Sequence, residues 1–203
     1  MTYSDTQPRG TLKYRLLPDA LRPTDSPLVD PGSWGHEYVR HVAAELGEEY
    51  TIREEGDLEV TDKSDTPKVD ILGTVEDLRK LANQCAVFLL GHNAEPDAVD
   101  LLEELEIIEN IVDLVDENTY SRVCQYMIRC VHNIFHVIDA DQKRRCVNLL
   151  PPPDDQLFLR TAHSIYIKQS KFPEAMALAI RLGDPELVRE DFNAPANPCV
   201  AYI

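Results

Sequence analysis

Basic residues are scarce in this chain. It carries 20 Lys and Arg against 36 Asp and Glu, and its formal net charge is −16 at neutral pH. Proteins that bind nucleic acid or anionic membranes gain affinity by placing Lys and Arg against phosphates. The densest basic run, Lys143-Arg144-Arg145, is too short to form such a patch. We therefore expect no nucleic-acid partner and no membrane partner.

Long apolar runs are also lacking. No stretch approaches the roughly 18 apolar residues that make a membrane span. The first ten residues, MTYSDTQPRG, lack the apolar core of a secretory signal. We therefore expect the protein in the cytoplasm and nucleus.

Cysteine motifs typical of zinc sites or disulfide frameworks are missing. Such sites normally use paired and regularly spaced cysteines. Here the number is odd, no CxxC occurs, and we predict reduced, buried thiols and no bound cofactor. The five cysteines are Cys85, Cys124, Cys130, Cys146 and Cys199.

Recognisable catalytic motifs are absent as well. The sequence has no GxxxxGK[ST] phosphate loop, and Gly32-Ser33 does not fit the GxSxG elbow of hydrolases, so Ser33 is predicted to cap a helix. The acidic pairs Asp154/Asp155 and Glu103/Glu104 offer carboxylates without convergent partners, and the first pair is predicted to cap the helix that follows. The sequence therefore assigns no catalytic, cofactor-binding or metal-binding residue.

Two histidines have the spacing of zinc ligands on one helix face. His132 and His136 stand four residues apart, but the zinc-protease pattern needs Glu directly after the first histidine, where Asn133 stands. A third ligand is not apparent either. A metal-dependent hydrolase is therefore the weakest of the functional interpretations.

Helical periodicity is abundant. Residues 155–192 predict three short helices joined by very short turns. Pro173 and Pro185 each suit the first turn of a helix, Gly183 ends the second helix, and Asp184 is predicted to cap the third. The facing apolar residues are Leu157, Phe158, Ala162, Ile165 and Tyr166 in the first helix, and Ala175, Ala179 and Leu182 in the second.

Three further helices are predicted upstream. One begins at Trp34, and a second follows Thr74, which pairs with Asp77 in a capping-box pattern and leads to a stop at Gly91. The third begins at Pro96 and is predicted to be one longer helix. Their apolar stripes are Trp34, Tyr38, Val42 and Leu46; Leu78, Leu81, Ala82, Cys85, Phe88 and Leu89; and Leu101, Leu102, Leu105, Ile108, Val112 and Val115.

The third of these upstream helices is strongly acidic, and no Lys or Arg occurs between Lys80 and Arg122. Its acidic face is either a solvated surface, the commoner outcome for a charge run, or a docking stripe for basic segments. Charge reversal of Glu103, Glu106 and Asp113 would distinguish the two. The acids are Glu95, Asp97, Asp100, Glu103, Glu104, Glu106, Glu109, Asp113, Asp116 and Glu117.

Two segments do not favour helices. Residues 1–31 hold five of the 14 prolines and are predicted to be mobile, and residues 54–70 are predicted to form an acidic loop with few apolar residues to bury. The fold class is therefore all-α. Antiparallel helix pairs in an α-solenoid-like array would occupy residues 32–198, with disordered N-terminal and acidic loop segments.

Two long blocks of sequence carry a family resemblance. Residues 32–50, GSWGHEYVRHVAAELGEEY, and residues 159–198, which begin LRTAHSIYIKQSKFPEAMALAIRLGDPELVREDF, resemble the largest non-ATPase scaffold subunit in the base of the 26S proteasome regulatory particle. The shorter blocks LKYRLL, LANQCAVFLLGHNAEPDAVDLLEELEII and RVCQYM follow the order expected of that family.

The resemblance implies a non-catalytic scaffold that organises ATPase subunits and substrate-delivery factors in ubiquitin-dependent degradation. Its implied partners are the ATPase ring and other regulatory-particle subunits. The resemblance covers the helical part that precedes a closed ring of repeats in the family. Because the docking surfaces for ubiquitin and ubiquitin-like receptors lie on that ring, they transfer to no residue of this chain.

Two segments depart from the family pattern. Arg129-Cys130-Val131 is echoed by Arg145-Cys146-Val147, and removal of residues 131–146 restores the pattern. We therefore predict that these residues are an insertion or a retained intron. Residues 199–203 form a divergent tail.

An unrelated helical adaptor is the alternative function. Tyr166 and Ala175 have the spacing of part of a tetratricopeptide repeat. That repeat needs a bulky aromatic residue where Ala179 stands, and no second copy follows at the required period. The repeat pattern is therefore incomplete.

Overall fold

A computed structural model describes residues 9–20, 30–58, 73–132, 135–138, 144–147 and 153–194. Over these residues the chain forms nine α-helices and one two-stranded antiparallel hairpin. The predicted all-α class is confirmed, with the hairpin as its exception. The chain divides into two compact units, Met1–Ile107 and Ile108–Ile203, where the sequence predicted a single helical domain over residues 32–198.

The first unit is built around one long helix, α2 (His36–Leu58), which packs on α1 (Gly10–Ala20), α3 (Val75–Gly91) and α4 (Glu95–Glu104). Arg53, late in α2, donates to the carbonyl of Gly73, whereas His36, at its start, lies 6.0 Å from the ring of Phe88. The end of α2 therefore lies beside the start of α3, and the start of α2 lies beside the end of α3, so the two helices are antiparallel. A 3₁₀ turn at Pro31–Trp34 precedes α2.

Helix α1 lies inside the segment 1–31 that was predicted to be mobile. Leu12 and Leu16 are one helical turn apart and are both buried. The Glu45 carboxylate of α2 accepts a hydrogen bond of 2.6 Å from the backbone amide of Leu12. The apolar spacing of LKYRLL therefore outweighs the local proline content, and residues 1–8 and 21–29 lie outside the described part of the chain.

The start of α2 differs from the prediction. Trp34 belongs to the preceding 3₁₀ turn and is 65% exposed, so it is not part of the buried stripe. Asp30 caps that turn by accepting from the amide of Gly32, and the Ser33 hydroxyl donates to the Asp30 carbonyl. Ser33 is therefore not the predicted cap, because the aspartate one turn earlier already fills that position.

At its other end α2 continues to Leu58, past residue 54 where the acidic loop was predicted to begin. The remainder of that predicted loop, residues 59–70, lies outside the described residues.

The predicted start of α3 is confirmed. The Thr74 hydroxyl accepts from the Asp77 amide at 3.3 Å, and the Asp77 carboxylate accepts from the Thr74 amide at 2.8 Å, which forms a capping box. Hydrogen bonds from Thr74 lower the pKa of Asp77 below its usual value. Gly91 is the last helical residue, as predicted.

The single long helix predicted from Pro96 is wrong. Helix α4 ends at Glu104, Glu106 has a left-handed φ of 56°, and the Ile107 amide donates to the Leu102 carbonyl at 2.8 Å. A 3₁₀ turn at Ile108–Asn110 and the short helix α5 (Ile111–Leu114) follow. A straight helix would carry apolar residues on too many sides, and the break lets the first unit bury Leu105 and the second bury Ile108.

The second unit is built around α7 (Asp154–Lys168), which packs on α6 (Tyr120–His132) and α8 (Phe172–Leu182), while α8 packs on α9 (Pro185–Asn193). Cys124 donates to the carbonyl of Ala162, and Tyr120 stacks edge-on against Tyr166, so α6 and α7 are antiparallel. Packing between consecutive helices is typical of α-solenoids. The unit also contains α5 and the strands β1 (Phe135–Ile138) and β2 (Arg144–Val147).

The three helices predicted over residues 155–192 are confirmed as α7, α8 and α9. Gly183 adopts a left-handed φ of 69° and ends α8. The Asp184 carboxylate accepts from the amides of Glu186 and Leu187 at 3.2 and 3.1 Å, which caps α9 as predicted.

Strand β1 and most of strand β2 fall within the predicted insertion, residues 131–146. Strands β1 and β2 pair antiparallel with Phe135 opposite Val147 and Ile138 opposite Arg144. Helices α6 and α7 pack directly on each other, so they do not need the intervening hairpin in order to meet. The insertion or retained intron stays a prediction, and the divergent tail, residues 199–203, lies outside the described residues.

Two glycines allow a matched test of backbone conformation. An added Cβ meets nothing within 4 Å at Gly183 or at Gly91, but only Gly183 has a positive φ. We expect Gly183→Ala to lower the free energy of unfolding by about 1 kcal/mol, because L residues are strained in the left-handed region. Gly91→Ala, at the last residue of α3, is expected to raise the free energy of unfolding by up to about 1 kcal/mol, because alanine favours the helix more than glycine does. Urea unfolding followed by circular dichroism measures both, and a shift of the same sign for the two variants would contradict this.

Candidate docking groove

The catalytic interpretations find no geometric support. Helix α6 ends at His132 and His136 lies in β1, so the two histidines do not share one helix face. No group of three or more His, Cys, Asp or Glu among the described residues could hold a metal ion. Asp154 and Asp155 lie in the first turn of α7, where Asp155 accepts from the amide of Gln156.

Two of the predicted buried thiols are confirmed. Burial raises the pKa of Cys85 and of Cys124 to about 12 in each case, so both are protonated at neutral pH and are poor nucleophiles. Cys130 is half-buried. The side chains of Cys146 and Cys199 lie outside the described part of the structure.

A buried polar pair that the sequence did not indicate joins α7 to α9. His163 Nε2 lies 2.8 Å from Asp191 Oδ2, and both side chains are almost completely buried. The neighbouring Thr161 hydroxyl is also buried. The pair bridges α7 and α9, and we assign it to the packing of these two helices.

The acidic stripe does not form one continuous face, because the chain breaks after Glu104 and the acids divide between the two units. Several have structural partners. Glu106 accepts from the Tyr50 hydroxyl at 3.1 Å, Asp113 pairs with Lys168 at 2.8 Å, and Asp116 caps a turn through the Thr119 amide. On α4 itself, Asp100 and Glu104 are exposed.

A groove between α2 and α4 collects part of this acidic surface. The two helices run parallel there, since Arg40 pairs with Asp97 at 3.1 Å and Gly47, two turns further on, faces Glu104. The groove has a volume of about 230 Å³ and both apolar and charged walls. Its lining residues are Arg40, Ala43, Ala44, Leu89, Asp97, Asp100, Leu101 and Glu104.

Small residues on α2 create this groove. Ala43 and Ala44 leave space on the side that faces α4. Gly47 is buried, and a Cβ at that position would overlap the Glu104 carboxylate. The sequence signal for the groove was therefore the run Ala43-Ala44 followed by Gly47, which indicates a groove only once α4 is known to pack against α2.

Carboxylates lie close together at the Glu104 end of the groove. Burial raises the pKa of Glu104 above its usual value, and the nearby carboxylates of Glu48 and Asp100 raise it further. Like charges at short range disfavour the ionised form, so a cation placed among them would be stabilised. The groove thus combines an apolar floor with a concentration of negative charge.

No described helix combines the length and the apolar character needed to cross a membrane.

Comparisons with known proteins place the whole chain in one family. Residues 1–202 match the family model described as the RPN1 N-terminal domain. The chain is 42% identical to "26S proteasome regulatory subunit RPN1" of Candida glabrata across its full length, and 46% identical to the Neurospora crassa subunit of the same description over 96% of its length. It is 37% identical to "26S proteasome non-ATPase regulatory subunit 2" of Dictyostelium discoideum over 93% of its length.

These relatives are much longer proteins. The chain spans 19% of the Candida glabrata subunit and 17% of each of the other two. The similarity extends over both units, from the block around α2 to the three helices that end the described chain. The chain belongs to the RPN1 N-terminal domain family.

Proposed function

We propose that this chain acts as a non-catalytic scaffold segment of the base of the 26S proteasome regulatory particle. The observation that carries the proposal is the match of residues 1–202 to the RPN1 N-terminal domain, with relatives named as proteasome regulatory subunits. Helices that pack in sequence order support a binding role.

The proposed partners are the ATPase ring and other regulatory-particle subunits, in cytoplasm and nucleus. The chain would hold these partner subunits in position, while other subunits unfold, deubiquitinate and cleave the substrate. Ubiquitin and ubiquitin-like receptors are proposed to bind the repeat ring of the family, and they are assigned to no residue of this chain. An incomplete tetratricopeptide pattern at Tyr166 and Ala175 gives no comparable support to an unrelated adaptor.

Affinity capture tests the scaffold proposal. The chain, tagged at its C-terminus and expressed in a fungal cell, is captured at physiological salt, and its partners are identified by quantitative mass spectrometry against the tag alone. We expect ATPase-ring and non-ATPase regulatory-particle subunits to be enriched together. Recovery of other proteins without any regulatory-particle subunit would overturn the proposal.

A further inference from the structure

Helix α1 takes the cap of its first turn from another helix. The Glu45 carboxylate of α2 accepts from the Leu12 amide at 2.6 Å and from the Thr11 amide at 3.4 Å. A capping side chain normally belongs to the residue just before its helix. A helix of 11 residues is marginal in water by itself, so α1 depends on α2 for its helical structure.

Few side chains attach α1 to the rest of the first unit. Among its described residues the buried apolar ones are Leu12 and Leu16, and Arg15 donates to Gln84 of α3 at 3.5 Å. Arg9, directly before the helix, pairs with a carboxylate of α2 while it holds a left-handed φ of 54°. That conformation costs free energy in any residue other than glycine, and release of α1 would remove the cost.

The remaining helices of the unit have a core of their own. Helices α2, α3 and α4 each pack on the other two, and α3 alone buries seven residues. The two carboxylates that hold α1 also keep partners on α2, since Glu45 lies 3.1 Å from His41 Nε2 and Glu49 lies 2.7 Å from Arg53 Nε. Segments with few buried apolar residues open at a lower free energy than the core around them. The three helices can therefore stay folded when α1 leaves.

The face beneath α1 is suited to a helix with one particular pattern. Glu45 receives the amides of a helix N-terminus, and Glu49, one turn further along α2, receives a cation. Leu12 and Leu16, one helical turn apart, are buried on the same face. A partner that fits this face carries an arginine before its first turn and two leucines spaced by four residues.

We propose that α1 is a releasable strap: it leaves as one unit while α2, α3 and α4 stay folded, and the face that it uncovers binds a partner helix with the same pattern. The geometry that carries this is the capping of α1 by Glu45 together with the Arg9–Glu49 pair, because a second helix can reproduce both contacts. While α1 is docked, it excludes the partner. The inference goes beyond the scaffold proposal and does not rest on it.

Native-state hydrogen exchange tests the release of α1 without any substitution. Exchange of the 203-residue chain is followed at low urea concentrations, and the amide of Leu16 in α1 is compared with that of Leu81 in α3. We expect the Leu16 amide to exchange about 100-fold faster and with a smaller urea dependence, because release of one short helix exposes little surface. Equal rates with equal urea dependence would show that α1 leaves only when the whole unit unfolds, which would overturn the proposal.

A peptide tests the uncovered face. Fluorescence anisotropy measures the Kd of a fluorescein-labelled peptide with the sequence of residues 8–20 for two full-length chains. One is unsubstituted, and the other is the strap variant, Leu12→Ser with Leu16→Ser, which weakens the docking of α1 and leaves α2 and α3 unchanged. We expect the strap variant to bind the peptide about tenfold more tightly, because α1 in the unsubstituted chain competes at a high effective concentration. A peptide with the same two substitutions is expected not to bind.

Substitutions on α2 locate the binding within the strap variant. Glu45→Gln with Glu49→Gln is expected to raise the Kd of the peptide about tenfold, since loss of a charge at a helix N-terminus and loss of an ion pair each cost a few-fold. The matched control, Glu37→Gln with Glu48→Gln, removes two exposed charges from the same helix and is expected to change Kd less than about twofold.

The other results also decide. If the strap variant loses the fluorescence of folded Trp34, α1 belongs to the core and the proposal is wrong. Equal binding of the two peptides, or an equal loss in the control, would indicate general attraction without a helix-binding face and would also overturn it. Affinity capture fails separately from these measurements, because capture of regulatory-particle subunits bears on the scaffold proposal alone.

Discussion

Leu102→Ala is expected to lower the free energy of unfolding of the first unit by about 2–5 kcal/mol. Leu102 lies on α4, its exposed fraction is 0%, and α4 packs on both α2 and α3. Truncation removes buried methyl and methylene groups and leaves a cavity that rigid helices close only in part. Because small domains are stable by only about 5–15 kcal/mol, this one change would remove a large share of the total.

A single tryptophan makes the measurement specific to this unit. Trp34 is the one tryptophan of the chain and belongs to the first unit, so its fluorescence in urea follows that unit, whereas circular dichroism follows both. Val87→Ala on α3 is the control, because Val87 is 53% exposed and its truncation is expected to cost no more than about 0.5 kcal/mol. Equal midpoints for the two variants would show that α4 does not belong to the core.

Helices α7, α8 and α9 of the second unit were predictable because their signals are local. Gly183, Asp184 and Pro185 each act within one turn of their own position, and the spacing of Phe158, Ala162 and Ile165 fixes one face of α7. Such features act whatever the rest of the chain does. The capping box at Thr74 and Asp77 was predictable for the same reason.

The break after Glu104 was not predictable, because it depends on competition between two cores. Leu105 and Ile108 are three residues apart and would share one side of a continuous helix, yet they enter the cores of different units. No glycine or proline marks the position, and Glu106 adopts the left-handed conformation that usually favours glycine. Periodicity alone therefore favoured the uninterrupted helix.

The acidic charge of the candidate groove was predictable from the sequence, but its shape was not. The acidic character of α4 is visible in the sequence, as is the absence of nearby Lys and Arg. Which acids are structural and which line a groove depends on what lies opposite them. Glu106 meets the Tyr50 hydroxyl, whereas Glu104 meets Gly47, and both contacts join residues more than fifty positions apart.

The unpredicted helix α1 is held by a buried charge network. Arg9 Nε lies 3.1 Å from Glu49 Oε2, and Arg53 Nε donates to Glu49 Oε1 at 2.7 Å. The side chains of Arg9 and Glu49 are only 9% and 7% exposed, whereas Arg53 keeps more contact with water. Glu49 thus balances two cations, one of which has little solvent to stabilise its charge.

Glu49→Gln is therefore expected to destabilise the first unit by about 2–3 kcal/mol, because it preserves the size of the side chain but leaves Arg9 buried without its counter-charge. The partial exposure of Arg53 keeps this below the cost of breaking a fully buried pair.

Glu48→Gln is the matched control: it makes the same substitution one residue away at an exposed position, and removing its repulsion with Glu104 is expected to leave stability unchanged or slightly higher. Urea unfolding followed by Trp34 fluorescence measures the loss, and trypsin cleavage after the buried Arg15 reports whether α1 has left α2. Equal unfolding midpoints and equal cleavage rates for Glu49→Gln and Glu48→Gln would show that the network does not hold α1 in place.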